Sequence, residues 1–180
     1  MERLPETIDA DGLLLRRWRV EDAEALGRAI EENLEHLRPW MGWIAQEPLQ
    51  VAARRDLIAE WEREWEAGGD SIIGVFREGA VLGSCGLHRR HGPSTLDIGY
   101  WIRVDFLRQG IATRVAATLT ETALAVPGID RVEIHHDRAN ERSAAVPRKL
   151  GYTFGGETPD EPEAPAEIGI DCTWWTTRAE

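Results

Sequence analysis

Hydrophobic and polar positions along the chain follow two rhythms, and the points where one gives way to the other mark the elements. The run "GLLLRRWRV" (Gly12–Val20) has the apolar content of a strand. In the next run, "EDAEALGRAIEENLEHL", Ala23, Leu26, Ile30 and Leu34 repeat at the spacing of one helical face. Glu21, Asp22 and Glu24 in its first turn suit the positive end of the helix dipole. An aromatic loop, "RPWMGWIAQEP", follows. Beyond Pro48, Leu57, Ile58, Trp61 and Trp65 recur at helical spacing until "AGGD" closes the pattern, and that spacing assigns both tryptophans to a buried face.

The period then shortens. "SIIGVFREGAVLGSCGLHRR" reads as two strands around a Glu78-Gly79 turn, and "STLDIGYWIRVD" as a third. From Gly110 the helical spacing returns in Ile111, Val115 and Leu119, flanked by Ala112, Ala116 and Ala123, and Pro127-Gly128 stops it. "DRVEIHHD" predicts a strand, "NERSAAVPRKLG" a short helix and "YTFGGE" another strand. The loop "TPDEPEAPAE" precedes a last strand, "IGIDCTWWTT", whose alternation turns one of Trp174 and Trp175 inward. About seven strands and four helices in this mixed order argue for an α/β (α+β) sheet with helices on its faces. No internal repeat and no long linker divides the chain, so residues 1–180 are expected to form a single domain.

Charge narrows the function classes. With 32 acidic against 21 basic residues the net charge is −11, a field that opposes a nucleic-acid backbone and is compatible with an amine or cationic substrate, or with solubility alone. No apolar run approaches the roughly 20 residues that cross a bilayer, and the N-terminal "MERLPETIDADG" lacks a secretory layout, so no membrane partner and a cytoplasmic location are expected. Cys85 and Cys172 are expected to be free thiols. The five histidines show no zinc-type spacing, so no metal is expected.

One short stretch carries candidate chemistry. In "DFLRQGIATRV" (Asp105–Val115) a strand runs into a helix, leaving the first helical N–H groups without internal partners. Such an end accepts phosphate, and the small residues Gly110 and Ala112 leave the backbone approachable. Arg108, Gln109 and Thr113 add side-chain donors. By spacing alone an ordinary helix start is the better-served reading, and neither GxxxxGK[ST] nor GxGxxG is present.

The segment "LDIGYWIRVDFLRQGIATRVAATLTETAL" closely resembles the acetyl-CoA-binding segment of the GNAT superfamily of N-acetyltransferases. More narrowly, "IGYW" before the loop and "GIAT" opening the helix resemble the ribosomal-protein N-terminal acetyltransferases. "NERSAAVPRKLGY" (Asn140–Tyr152) is a second match in the right order, with its Asn-x-x-Ser start and its Lys149-Leu150-Gly151-Tyr152 ending. One position departs: where the superfamily loop opens with Gln or Arg, this chain has Leu107, and Arg108 follows.

The resemblance implies one acetyltransferase domain with a mixed, mostly antiparallel sheet and splayed central strands. Acetyl-CoA is the implied co-substrate. Backbone near Ile102 and Val104 would pair with its pantetheine arm, Arg108, Gln109, Gly110, Ile111, Ala112 and Thr113 would hold the pyrophosphate, and Asn140 would contact the pantetheine chain. The acceptor would be a primary amine on a peptide, protein or small molecule. A protein N-terminal α-amine leads these options, with a small-amine acetyltransferase or a non-catalytic CoA-binding module as alternatives. A homodimer is compatible with the family. The tyrosine acid of many members is absent, with Val146-Pro147 in its region. Ser143, the equivalent of the branch's acid, is the candidate, although a serine at a helix start also serves as a cap.

On the strand around His135 and His136, His136 shares a face with Val132 and Ile134 and lies nearer the expected gap, which makes it the candidate base. The carboxylates of Glu157, Asp160, Glu161, Glu163 and Glu167 are further candidates to orient an amine. Trp40 and Trp43 would either wall the acceptor pocket or plug the core.

Overall fold

The computed structural model describes residues 4–178. Its strands are β1 (Thr7–Asp9), β2 (Leu14–Arg17), β3 (Ser71–Arg77), β4 (Ala80–His88), β5 (Thr95–Ile102), β6 (Arg131–Asp137), β7 (Thr153–Pro159) and β8 (Ile170–Thr177). The helices are α1 (Ala23–Glu31), α2 (Leu34–Leu37), α3 (Val51–Glu66), α4 (Ile111–Ala125) and α5 (Glu141–Lys149). All eight strands form one sheet in the order β1-β2-β3-β4-β5-β6-β8-β7. Every neighbouring pair is antiparallel except β5 and β6.

Two counts exceed the expectation from sequence. The extra strand is β1, three residues at the sheet's edge whose polar ends carry no alternation to read. The extra helix arises because the long N-terminal helix breaks at Asn33. The buried Asn33 amide donates to the Ala29 carbonyl at 2.8 Å and accepts the Val104 N–H at 2.7 Å. A side chain that bonds its own helix's last turn and a strand end at once stops the helix there, although Leu34 keeps the hydrophobic spacing.

Turn chemistry fixes the β3–β4 hairpin. Glu78 and Gly79 both lie in the left-handed region (φ 50° and 83°), the two-residue turn whose twist matches the strands it joins. On one face of the sheet, α4 buries Ile111, Val115, Leu119 and Ala123 against Leu87, Leu96, Ile98, Val132 and Ile134. On the other face, α1 and α3 bury Leu26, Ile30 and Ile58 against Trp18, Phe76, Val81 and Trp101. The tryptophans of α3 are a correction to the sequence reading. Ile58 and Arg54 are the residues of α3 buried from solvent, while Trp61 and Trp65 are only half-buried. Cys85 and Cys172 are buried free thiols. No helix among the described residues is long and apolar enough to cross a membrane.

The feature that makes the site is a divergence. β5 and β6 pair only through Thr95, Leu96 and Asp97 on one side and Arg131, Val132 and Glu133 on the other. Beyond that, β5 continues against β4 alone as far as Ile102, and β6 continues against β8 alone as far as Asp137. The central strands therefore splay, and a wedge opens between Ile98–Ile102 and Ile134–Asp137.

Candidate active site

The chain leaves β5 through a 3-10 turn (Val104–Phe106) and enters α4 after Arg108 and Gly110, both left-handed at φ 62° and 72°. Gly110 is the N-cap residue of α4 and supplies no side-chain cap, so the first N–H groups of a helix 15 residues long face outward without a protein acceptor. At the departing position, Leu107 is partly buried against the core, and both it and Arg108 line the groove. Ile102, Val104 and Ile111 all line the groove, the two isoleucines buried and Val104 exposed. Gln109 does not line the groove. Its side-chain oxygen accepts from Arg77 at 3.4 Å on the outer surface.

The groove encloses about 680 Å³ between this loop and α5. Arg108, Arg142 and Lys149 line it, and no aspartate or glutamate does. In a chain of net charge −11 that segregation is informative, because it sets up a local field for a polyanion. Arg142 and Lys149 escaped the sequence reading; their signal is a seven-residue spacing that places both on one side of α5. His36 also lines the groove, its pKa lowered by burial and by Arg142. These residues fit the phosphates of acetyl-CoA.

The helix cap of α5 is Asn140, whose oxygen accepts the Ser143 N–H at 3.1 Å; Ser143 is therefore not the capping residue, and its hydroxyl is spared. Pro147 sits inside α5 and has no N–H to give the Ser143 carbonyl four residues earlier. The Tyr100 hydroxyl takes that place, 3.3 Å from the carbonyl and 3.4 Å from the Ser143 Oγ. Burial pushes the Tyr100 phenol up to about 12, so it remains a donor.

A second cavity, about 540 Å³, lies across the splay and shares Trp40, Met41, Tyr100, Trp101, Asn140 and Ser143 with the groove. Trp40, Trp43 and Trp61 wall it, and Trp43 tilts against Trp101 at 6.3 Å between ring centres. The β7–β8 loop closes one side, docked by Ala166 N–H on the Pro39 carbonyl at 3.0 Å. Of the loop carboxylates, Glu163 and Glu167 reach the cavity, and Glu167 is occupied by the N–H groups of Glu163 and Ala164. Glu157 pairs instead with Arg138, and Asp160 accepts the N–H of Glu161, itself outside the cavity.

The histidine pair divides as strand alternation requires. His136 is buried, and its Nδ1–H donates to the Asp137 carbonyl at 2.8 Å, which leaves Nε2 as an acceptor. Trp174 fills that acceptor with its indole N–H at 2.9 Å. His135 lies between Asp171 and Glu133, donating to them at 2.8 and 2.9 Å. Burial opposes its charge, but these two carboxylates, Asp171 first, outweigh that and raise its pKa to about 9. A raised pKa stabilises the fold fully below the ordinary value near 6.5 and loses that contribution as pH rises through about 9. Thermal melts of the wild type should therefore fall from pH 6.5 to 9.5 more steeply than those of His135→Gln. Parallel slopes would refute the assignment. His91 stacks on His135 with centres 4.3 Å apart and 13° between planes. Among the described residues this pair and Glu133 are the one group near enough to hold a metal, and both ring nitrogens of His135 are already bonded to Asp171 and Glu133.

Residues 12–153 match the family model described as an acetyltransferase (GNAT) domain. Among curated proteins, the chain is 29% identical over 150 residues to the ribosomal N-acetyltransferase candidate YdaF of Bacillus subtilis (strain 168), covering 82% of this chain and 81% of that one. A solved structure described as a probable acetyltransferase superposes with a TM-score of 0.87 at 25% identity, covering 96% and 97% of the two chains. The ribosomal L7/L12 α-N-protein acetyltransferase RimL in complex with coenzyme A (TM-score 0.84, 20% identity, 98% of each chain) and Mycobacterium smegmatis RimJ with CoA-disulfide (0.82, 22%, 98% and 87%) share the fold. With a donor-rich, carboxylate-free groove opening onto an aromatic cavity, and with this match over most of its length, the chain belongs to the GNAT acetyltransferase family and uses acetyl-CoA as its acetyl donor.

Proposed function

We propose that the protein acetylates the free α-amine of a protein N-terminus in the cytoplasm. The observation that carries this reading is the meeting of the two cavities at Tyr100, Asn140 and Ser143, with cations on one side and tryptophans on the other. The similarity to YdaF, and the fold shared with the ribosomal L7/L12 acetyltransferase RimL and with RimJ, support it.

An α-amine has an unperturbed pKa of roughly 7.7–8.0, so a sizeable neutral fraction is present near neutrality. Trp40 and Trp43 hold the first residue of the chain, and the open side of the cavity lets the rest of the peptide leave. The N–H groups of Ile111, Ala112 and Thr113, with Arg108, bind the phosphates, and the free amide hydrogens of Asn140 orient the chain that leads from them. Acetyl-CoA, when bound, supplies an acetyl thioester for attack by nitrogen. Ser143, with Tyr100 beside its oxygen, donates the proton that the departing sulfur takes.

Acetyl-CoA with peptides bearing free N-termini, the same peptides blocked, and a panel of small amines, read by mass spectrometry, tests this reading. Acetylation of the free peptides alone is expected, and exclusive acetylation of small amines would replace it. Ser143→Ala should lower kcat at least tenfold while leaving acetyl-CoA affinity within a few-fold; an unchanged kcat would remove Ser143 from the chemistry.

A further inference from the structure

Amine acetylation needs a lone pair on the acceptor side of the splay, and His136 has none to offer, since both its ring nitrogens are engaged. His135 is held between two carboxylates. A third histidine lines the same cavity. We propose that His88, held by Asp70, is the general base of this enzyme, an inference that rests on the acetyltransferase reading above.

His88 ends β4, is 8% exposed, and places its Nδ1 2.8 Å from the Asp70 Oδ2 in the turn before β3. A carboxylate oxygen at that distance requires a proton on Nδ1. Arg90 lies 3.3 Å from the same nitrogen but can only donate, which a proton on Nδ1 excludes, so the shorter contact to the carboxylate of Asp70 sets the tautomer. Asp70 is itself fixed, because its other oxygen accepts the Arg89 N–H at 2.9 Å. Nε2 is thus the unprotonated nitrogen, and no hydrogen bond from a described residue occupies it.

The fold makes room for that nitrogen. Gly86 of β4 and Gly99 of β5 lie opposite one another in register, and the imidazole rests over them. A methyl group at Gly86 would come 2.7 Å from His88 Nε2, and one at Gly99 3.4 Å. Gly99 immediately precedes Tyr100, where the acceptor cavity and the groove join. Nε2 therefore stands over the strand whose outer edge bounds the splay, in the cavity that Tyr100 and Ser143 also line, with alternation turning the Tyr100 side chain toward the other face of the sheet. The charged groups around the ring are Asp70, Arg90 and, opposite in register on β5, Asp97, which lies 3.7 Å from Arg90.

The proton count closes with this arrangement. The ammonium form of the acceptor gives one proton to His88 Nε2, which returns it to solvent. As the new C–N bond forms and the C–S bond breaks, His88, neutral again, takes the second proton from nitrogen and releases it to solvent, while Ser143 gives its proton to sulfur and is reprotonated from solvent. His88 touches the reacting amine and is catalytic; Asp70 acts through it and is a positioning residue.

The test is the pH dependence of kcat/KM for His88→Ala, His88→Gln and Asp70→Asn, with acetyl-CoA affinity and circular dichroism recorded in parallel. Loss of a general base costs about 10²- to 10⁴-fold. Both His88 variants should lose about 100-fold or more in kcat/KM and the acidic limb of the profile, with acetyl-CoA Kd within threefold. Added imidazole should restore part of the rate in His88→Ala. Asp70→Asn should lose at least tenfold, with the limb displaced. A foldable His88 variant within threefold of wild type, with its acidic limb intact, overturns the proposal. Should the wild type bind acetyl-CoA and turn over no amine, the functional reading fails by itself. In that case 15N spectra of the histidine rings still decide on His88: a proton on Nδ1 and none on Nε2 at pH 8 supports the geometry, and the reverse tautomer overturns it.

Discussion

Acetyl-CoA titrated into Gly110→Asp should bind at least about 100-fold more weakly than into wild type, while Gly110→Asn should stay within a few-fold. Gly110 has φ 72°, where any side chain carries backbone strain, and a side-chain carbon added to it would meet nothing within 4 Å, so the cost of either replacement lies in the backbone and not in a clash with neighbours. Asn and Asp both tolerate the left-handed region better than other residues with side chains, so the two variants share a similar backbone cost. They differ in charge. An aspartate at the mouth of α4 faces the same N–H groups that would receive the pyrophosphate and repels it. At an effective dielectric of about 20, one unit charge at about 5 Å is worth on the order of 3 kcal/mol, and 100-fold corresponds to about 2.7 kcal/mol. Raising salt should narrow the gap between the variants. Equal weakening in both would mean that backbone geometry, not charge, governs the loop.

The largest stability effect is expected at an ion pair far less obvious in the sequence. Arg54 of α3 is 1% exposed and meets Glu47 through two hydrogen bonds, of 3.1 and 2.6 Å. Glu47 also accepts the Leu49 N–H, and Gly27 of α1 leaves the space that the guanidinium fills. Glu47→Ala strands a buried cation and should cost about 3–5 kcal/mol in denaturant unfolding. The double replacement Glu47→Leu with Arg54→Met, which removes both charges, should cost clearly less than Glu47→Ala alone. A single variant that loses under about 1 kcal/mol would show that Arg54 finds water or another partner.

Much of this architecture is legible along the chain where local chemistry and tertiary role agree. The Glu78-Gly79 turn, the helix opening at Gly110 and the periodicity of α4 are of that kind. Residues whose role depends on distant partners are not. Asn33 breaks a helix because of Val104, 71 positions later. Arg54 reads as an ordinary helix arginine until Glu47 folds under it. His88 carries no motif, and its partner Asp70 lies in a glycine-rich turn 18 residues earlier. The available hint is a pair of glycines, 86 and 99, whose opposition emerges only once β4 and β5 are in register. His136 shows the converse: alternation places it on the expected face, but sequence cannot reveal that Trp174 will fill its acceptor.

The splay between β5 and β6 also bears on solubility. Where the two strands part, each has a neighbour on one side only, so the sheet carries two raw edges in its interior besides those at β1 and β7. Unpaired edges template association with other extended chains. A ligand seated in the wedge would cover them, so preparations kept with coenzyme A should resist aggregation on storage at concentrations where the ligand-free protein does not.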